Sequence, residues 1–322
     1  MSTRFIKKTV ILAALEATVG IDAVPTGALN ALKVFDMSIT PVEAKEIKIE
    51  YVTAWLGSSE TLVGAIFSKC SFSVSLSGSG DAAVAPAWAP LLLACGFSEL
   101  TGLTMPARIE YLPATDALKS LSIYWYDDGV LHKMLGSFGS VELSAMVGAA
   151  PKLKFDFTGI PVPATAAANA TGVLTAWKPP VPIRKQNVVD IKLGVAYAAG
   201  ALTGGTPYNT TGLTLSSGNK VDADEFLSGD EVGISDREIT GSTSIKVSAA
   251  EEVALLDMVG AGTIQTMGFE IGKTAGNRII LFAPAHRFKS HKKAEKNGKR
   301  LAEMGFKLNP VNGNDELRLV CL

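Results

Sequence analysis

Residues 71–77, SFSVSLS, alternate without a break: Phe72, Val74 and Leu76 fall on one side, and Ser71, Ser73, Ser75 and Ser77 on the other. Strand side chains alternate faces with a period of two, so this run fits a half-buried strand and does not build one apolar face on a helix. The device recurs. In LSIYWYD (121–127) Leu121, Ile123 and Trp125 oppose Ser122, Tyr124 and Tyr126. In KLKFDFTG (152–159) Leu153, Phe155 and Phe157 oppose Lys152, Lys154 and Asp156. Asp127-Asp128-Gly129 supplies the turn after the second run. The chain is thereby bound to a mainly β fold.

One helix is expected between these strands, in APAWAPLLLACGF (85–97). Pro86 and Pro90 are tolerated only near a first turn, which places the helix over about Trp88 to Cys95, with Gly96 as its left-handed cap. Leu91, Leu92 and Cys95 share a face. After Gly159 the composition changes. IPVPATAAANATGVLTAWKPPVPIRK holds Pro161, Pro163, Pro179, Pro180 and Pro182 and reads as a semi-rigid linker.

Beyond it the same succession returns. REITGSTSIKVSA (237–249) alternates like GAIFSKCSFSVSL (64–76), and AEEVALLDMVGAG follows where AWAPLLLACGF did. FEIGKTAGNRIILFAP is set against IEYLPATDALKSLSIYWYD, and GFKLNP and DELRLV complete the set. Matching elements in matching order make an internal duplication the expectation. The division is an N-terminal arm over 1–30, a first unit over 31–160, a linker over 161–184 and a second unit over 185–322.

Composition narrows the function classes. Hydrophobic residues are 47% and charged residues 19% of the 322, and mean hydropathy is +0.26. Such a chain either enters a membrane or hides surface in an assembly. The uncharged run 82–98 is too short to span and is broken by Pro86 and Pro90. The run 157–177 is Ala, Thr, Gly and Pro, and Glu16 interrupts the apolar stretch after Lys7 and Lys8 that resembles a signal peptide. No membrane is expected. Three separated cysteines (Cys70, Cys95, Cys321) read as reduced thiols of a protein made in a cytosol, and a net charge of -1 gives no field for nucleic acid.

Motifs for chemistry fail on context. GFEIGKT (268–274) has three residues where a phosphate loop needs four, and a strand follows instead of a helix. Cys95 has no histidine in a known cysteine-hydrolase arrangement; the only ones are His132, His286 and His291. No Cys/His cluster has metal-ligand spacing. No catalytic, cofactor-binding or metal-binding residue is assigned, and no cofactor is expected. Two charge runs remain: the acidic DADEFLSGDEVGISD (222–236) and the basic HRFKSHKKAEKNGKR (286–300). They read either as solvated loops or as surfaces that meet across subunits.

VILAALEATVGIDAVPTGALNAL, ETLVGAIFSKCSFSVSLSGSG with APAWAPLLLACGFSE, and IEYLP with SLSIYWYDDGVLHKMLGSFGSVELSAMVGAAPKLKFDFTG together resemble the major tail tube protein of long-tailed, non-contractile bacteriophages. The resemblance covers about 5–160 well; over 185–322 it rests on the internal repeat and the terminal NGNDELRLV. It implies a small β-sandwich or barrel with a flanking helix, one per chain in the family's usual member. The internal repeat makes this chain depart from that pattern, so two tandem β-sandwich or barrel tail-tube domains, each with one short flanking α-helix, are expected. Three chains would then make a pseudo-sixfold ring, and stacked rings a tube in the virion tail that passes DNA without specific binding. The implied partners are further copies of the chain and the tail terminator, tip and tape-measure proteins. Ring-to-ring contacts are expected at 40–60 and 220–236, on Tyr51, Trp55 and Leu56 and on Phe226 and Leu227. Lys292, Lys293 and Lys296 are expected to meet Asp222, Asp224 or Asp230 of a neighbour. The competing readings are a secretion needle protein on the same fold and a two-domain β binding module or enzyme.

Overall fold

The computed structural model describes residues 3–52 and 54–322. Met1 and Ser2 of the expected arm, and Thr53 of the segment 40–60, lie outside the described residues. The first half of the chain holds β1 (Thr9–Leu15), β2 (Val34–Ile49), β3 (Glu60–Ser75), α1 (Ala89–Leu93), β4 (Phe97–Thr104), β5 (Ala107–Pro113), β6 (Leu121–Asp127), β7 (Val130–Met146) and β8 (Lys152–Ala166). The second half holds β9 (Val188–Ala198), β10 (Ala201–Tyr208), β11 (Thr210–Ser216), β12 (Asn219–Phe226), β13 (Gly229–Arg237), β14 (Thr240–Ile245), α2 (Ala249–Ala261), β15 (Ile264–Ile271), β16 (Ile279–Lys296), β17 (Lys299–Leu308) and β18 (Arg318–Cys321). The fold is mainly β, with two short helices and one large antiparallel sheet.

Within that sheet eight strands lie side by side in the order β2-β3-β8-β7-β11-β14-β17-β16. The first four come from the first half and the last four from the second, and each set runs in the chain order first, second, fourth, third. Flanking pairings also repeat: β6 pairs with β1 and β7, and β15 with β9 and β16. By connectivity β15 therefore takes the place of β6, and β16 that of β7. This corrects the sequence match of 269–284 to 109–127, which was displaced by one strand because β4 and β5 have no counterpart in the second half. Nor does β18 belong to a repeated set: it pairs with β16 on one side and with β5 of the first half on the other.

The alternation lines the core. Phe72, Val74, Leu153, Phe155 and Phe157 are buried in a cluster that continues into Leu213, Leu215, Met304 and Phe306 of the second half. Ser122 and Tyr124, however, are buried as well, on the face of β6 expected to be wet. The N-terminal segment covers that face. Glu16 accepts hydrogen bonds from the Ser120 and Ser122 hydroxyls (2.6 and 2.8 Å) and from the Gly136 and Gly20 amides. Tyr124 donates to Asp22.

Both helices form where expected. α1 is shorter than its sequence signal: its C-cap is Ala94, in the right-handed region, and not Gly96, which takes a left-handed φ of +75° two residues further on. Most of it is internal: Ala89, Leu91, Leu92, Leu93, Ala94 and Cys95 are buried, and Pro90 is half-buried. α2 opens with a capping box, Ser248 accepting from the Glu251 amide and Glu251 from the Ser248 amide, and closes on left-handed Gly262. It buries Leu255 and leaves Val253 and Leu256 exposed.

β8 continues to Ala166, into the proline-rich segment. Past Gly159 it pairs only with β7, and prolines are tolerated on such an edge. Further on, Trp177 and Ile183 are buried, and Trp177 Nε1 donates to Ala31 O at 2.9 Å.

Candidate assembly surfaces

The two halves meet along a ladder between β7 and β11, from Glu142 opposite Ser216 to Met146 opposite Gly212. Gly212 is required there: its φ is +139°, and a Cβ would sit 2.5 Å from Ala145 O. Beyond the ladder the chain clips itself to β7. The Ser217 amide donates to Val141 O (2.9 Å), and the Val141 amide donates to Ser217 Oγ (3.0 Å). Asn219 Nδ2 then donates to Cys95 O (2.7 Å) and Gly139 O (2.9 Å), so one side chain ties β12 to both the turn after α1 and β7.

β12 and β13 form a hairpin that folds back over the first half. Val232, with Val221 and Ile234, packs against Phe67, Phe138, Leu118 and Ile160. Ile234 Cδ1 stands 3.3 Å from where a Cβ on Gly96 would lie, so this hairpin covers the end of α1. Its tip reaches the β2–β3 hairpin, where Lys45 Nζ lies 3.0 Å from Glu225 Oε1.

Both hairpins end in exposed apolar residues. Tyr51, Trp55 and Leu56 stand at the end of the first, Trp55 with 74% of its surface exposed, and Phe226 and Leu227 at the end of the second. The two predicted segments are therefore equivalent in kind, each an apolar-tipped β-ribbon. The sides of the β2–β3 ribbon are apolar too: Val42, Ile47, Leu62 and Val63 are exposed, a stripe the sequence reading missed. Period-two alternation is weak there because both faces of the ribbon are open.

The charge runs are hairpins rather than loops. Asp222 and Asp224 lie on β12 and Asp230 on β13. Asp222 is held below the usual carboxylate range, mainly by Ser235 and then by Lys220. The basic run forms the far ends of β16 and β17, which turn at Asn297 (φ +53°) and Gly298 (φ +73°). Asn-Gly between alternating strands is a hairpin signal, and it was the cue in the sequence that could have found this one. Lys292, Lys293 and Lys296 are exposed on it. Among the described residues no ion pair joins them to Asp222, Asp224 or Asp230 within the chain; Lys293 instead approaches Glu252 at 3.9 Å.

The remaining chemical candidates are structural. Cys95 is wholly buried and its thiol is pushed well up by burial, then by Asp156; burial and Asp156 likewise push Cys70 up to about 12. GFEIGKT lies at the end of β15 and in the turn to β16. His132 stacks on Trp125, with ring centroids 5.2 Å apart. His286 is buried, not part of a solvated basic run: its Nδ1 lies 2.7 Å from Gln265 O, and it meets Phe288 and Phe306 edge-on. Among the described residues no group of three or more His, Cys, Asp or Glu could hold a metal ion, and no helix is long and apolar enough to cross a membrane.

A β-protein whose unsatisfied surface consists of sheet edges and apolar ribbons belongs to the class that completes itself by assembly. The sequence profile of the phage tail tube protein family matches residues 7–312, and the chain belongs to that family. No curated protein matches it. The protein is a structural, non-enzymatic component of the virion tail, and proteins of its family polymerise into tubes.

Proposed function

We propose that this chain is the tube subunit of a long-tailed, non-contractile phage and contributes two tube units per copy, over 31–160 and 185–322. Three copies then close a ring of six units, and rings stack into the channel through which the genome leaves. The observation that supports this most is the β7–β11 ladder, which joins two four-strand runs of identical order into one sheet. A sheet repeated in this way closes without edges once enough units are joined. The hairpin tips, with Tyr51, Trp55, Leu56, Phe226 and Leu227, make the ring-to-ring contacts, where apolar surface this exposed is otherwise costly. The acidic β12–β13 hairpin and the lysines at the end of β16 are candidates for pairing between subunits. The test is electron microscopy of the purified chain. Rings or tubes with sixfold-like outline and threefold symmetry are expected; monomers at every concentration would refute the reading.

A further inference from the structure

Two hairpin ends place like charges in direct opposition, and the two differ in sign. On β12–β13, Asp224 stands opposite Glu231 and Glu225 opposite Asp230. On β16–β17, Lys296 stands opposite Lys299 across the Asn297-Gly298 turn. All six side chains are exposed. Like charges directly opposite each other on neighbouring strands destabilise a hairpin. Glu225 is relieved by Lys45, 3.0 Å away. Among the described residues, Asp224, Asp230 and Glu231 make no ion pair, and neither do Lys296 and Lys299.

A third unpaired lysine stands beside the basic pair. Lys246 follows Ile245 at the end of β14, and its amide donates to Asn209 O at 2.8 Å. The three lysines rim a groove of about 300 Å³, with Val147, Thr210 and Leu301 in its wall. Glu295, the carboxylate nearest this turn in sequence, accepts from the Gly298 amide at 3.2 Å and stands opposite Arg300.

Position decides what can neutralise the two sites. The β12–β13 hairpin leaves the sheet at the Ser216–Thr240 pair, one end of the β11–β14 ladder, and the groove lies past the Thr210–Ile245 pair at the other end. β7 gives the separation. Its last residue, Met146, adjoins Val147 of the groove, and its Lys133 shares a cleft with Asp230 of the hairpin. Thirteen residues of strand divide the two levels, roughly 40 Å at about 3.3 Å per residue. The acidic hairpin does not reach the lysines of its own chain.

We propose that this groove is the socket for the β12–β13 tip of a second copy in the adjoining ring. Asp224, Asp230 and Glu231 meet Lys246, Lys296 and Lys299, which removes the repulsion at both ends at once. Phe226 and Leu227, exposed at the apex, enter the groove against Val147, which is itself exposed. Tip and socket are different surfaces at opposite ends of the ladder, so the contact repeats without closing and gives every ring the same direction. The contact rests on the tube-subunit reading and supplies the receiving surface for one of its two tips.

Two measurements test it. Lys246→Glu, Lys296→Glu and Lys299→Glu together should leave a chain that is folded by circular dichroism and forms rings but no tubes by negative stain. Asp224→Lys, Asp230→Lys and Glu231→Lys together should do the same. Mixing the two kinds of ring should restore tubes, because each supplies the socket that the other's tip now fits. Tubes of normal length from either variant alone overturn the contact while leaving the tube-subunit reading in place, and so does a mixture of folded rings that forms none. The second measurement needs no variant. Wild-type tubes grown from equal parts of ordinary and isotope-labelled chain are treated with a carbodiimide, which condenses an amine and a carboxylate into an amide. Peptides joining Lys246, Lys296 or Lys299 to Asp224, Asp230 or Glu231 should appear, with the label on one side only in about half of them. Tubes whose lysines cross-link elsewhere, or only within one chain, overturn the socket. Wild type that forms no tube at all counts against the tube-subunit reading itself.

Discussion

Asn219 ties the β7–β11 seam with one amide, donating to the carbonyls of Cys95, just past α1, and of Gly139 in β7. Asn219→Ala would leave both acceptors short of a partner in a half-buried site, at a cost of about 2 kcal/mol. The expected result in urea is a lower midpoint with an unchanged slope, because no surface is newly exposed in the folded state. His286 makes a pH prediction. Burial, against a weaker opposing hydrogen bond to Gln265 O, lowers its pKa from 6.5 to about 4. On acidification the unfolded chain takes up this proton first. The contribution is therefore complete above pH 6.5 and is lost as pH falls toward 4, at up to about 1.4 kcal/mol per pH unit. Thermal melts between pH 7 and 4 should show the decline, and it should flatten in His286→Gln. Glu110 adds a loss at lower pH. Burial raises its pKa, but Tyr197, Arg108 and Arg318 together outweigh that and hold it below the ordinary carboxylate range. Its contribution therefore disappears only as pH falls below that range.

At the scale of elements, the two hairpin tips should separate ring closure from stacking. Trp55→Ser with Leu56→Ser, or Phe226→Ser with Leu227→Ser, removes exposed apolar surface and should change the melting temperature little. Rings should persist by negative stain while tubes are lost; tubes of normal length from both variants would dismiss the tips as stacking contacts. The strands SFSVSLS, LSIYWYD and KLKFDFTG were legible because one face of each meets the core, and Asp127-Asp128-Gly129 and Gly96 because backbone handedness restricts the residue type. The covered second face of β6 was not legible. Ser122 and Tyr124 look solvent-facing until Glu16 and Asp22, more than ninety residues away in sequence, supply their partners. The charge runs were found but left open between solvated loops and contact surfaces, since charge density says nothing about backbone pairing; Asn297-Gly298 does.

For the whole molecule, the repeated strand order organises everything else. Helix α1 is greasier than α2 because it is buried in the main core of the first half, whereas α2 buries Leu255 and leaves Val253 and Leu256 exposed. The low charged fraction and the exposed β2–β3 stripe fit a chain that hides surface in an assembly. The strand order at the β7–β11 join, and the return of β18 to β5, were beyond sequence reading because both depend on pairings between distant halves. The central claim, two equivalent units in each chain, is tested most directly by the mass of a single ring. Native mass spectrometry of rings released from tubes should give three times the chain mass of 33.7 kDa. Rings of six chains would contradict it.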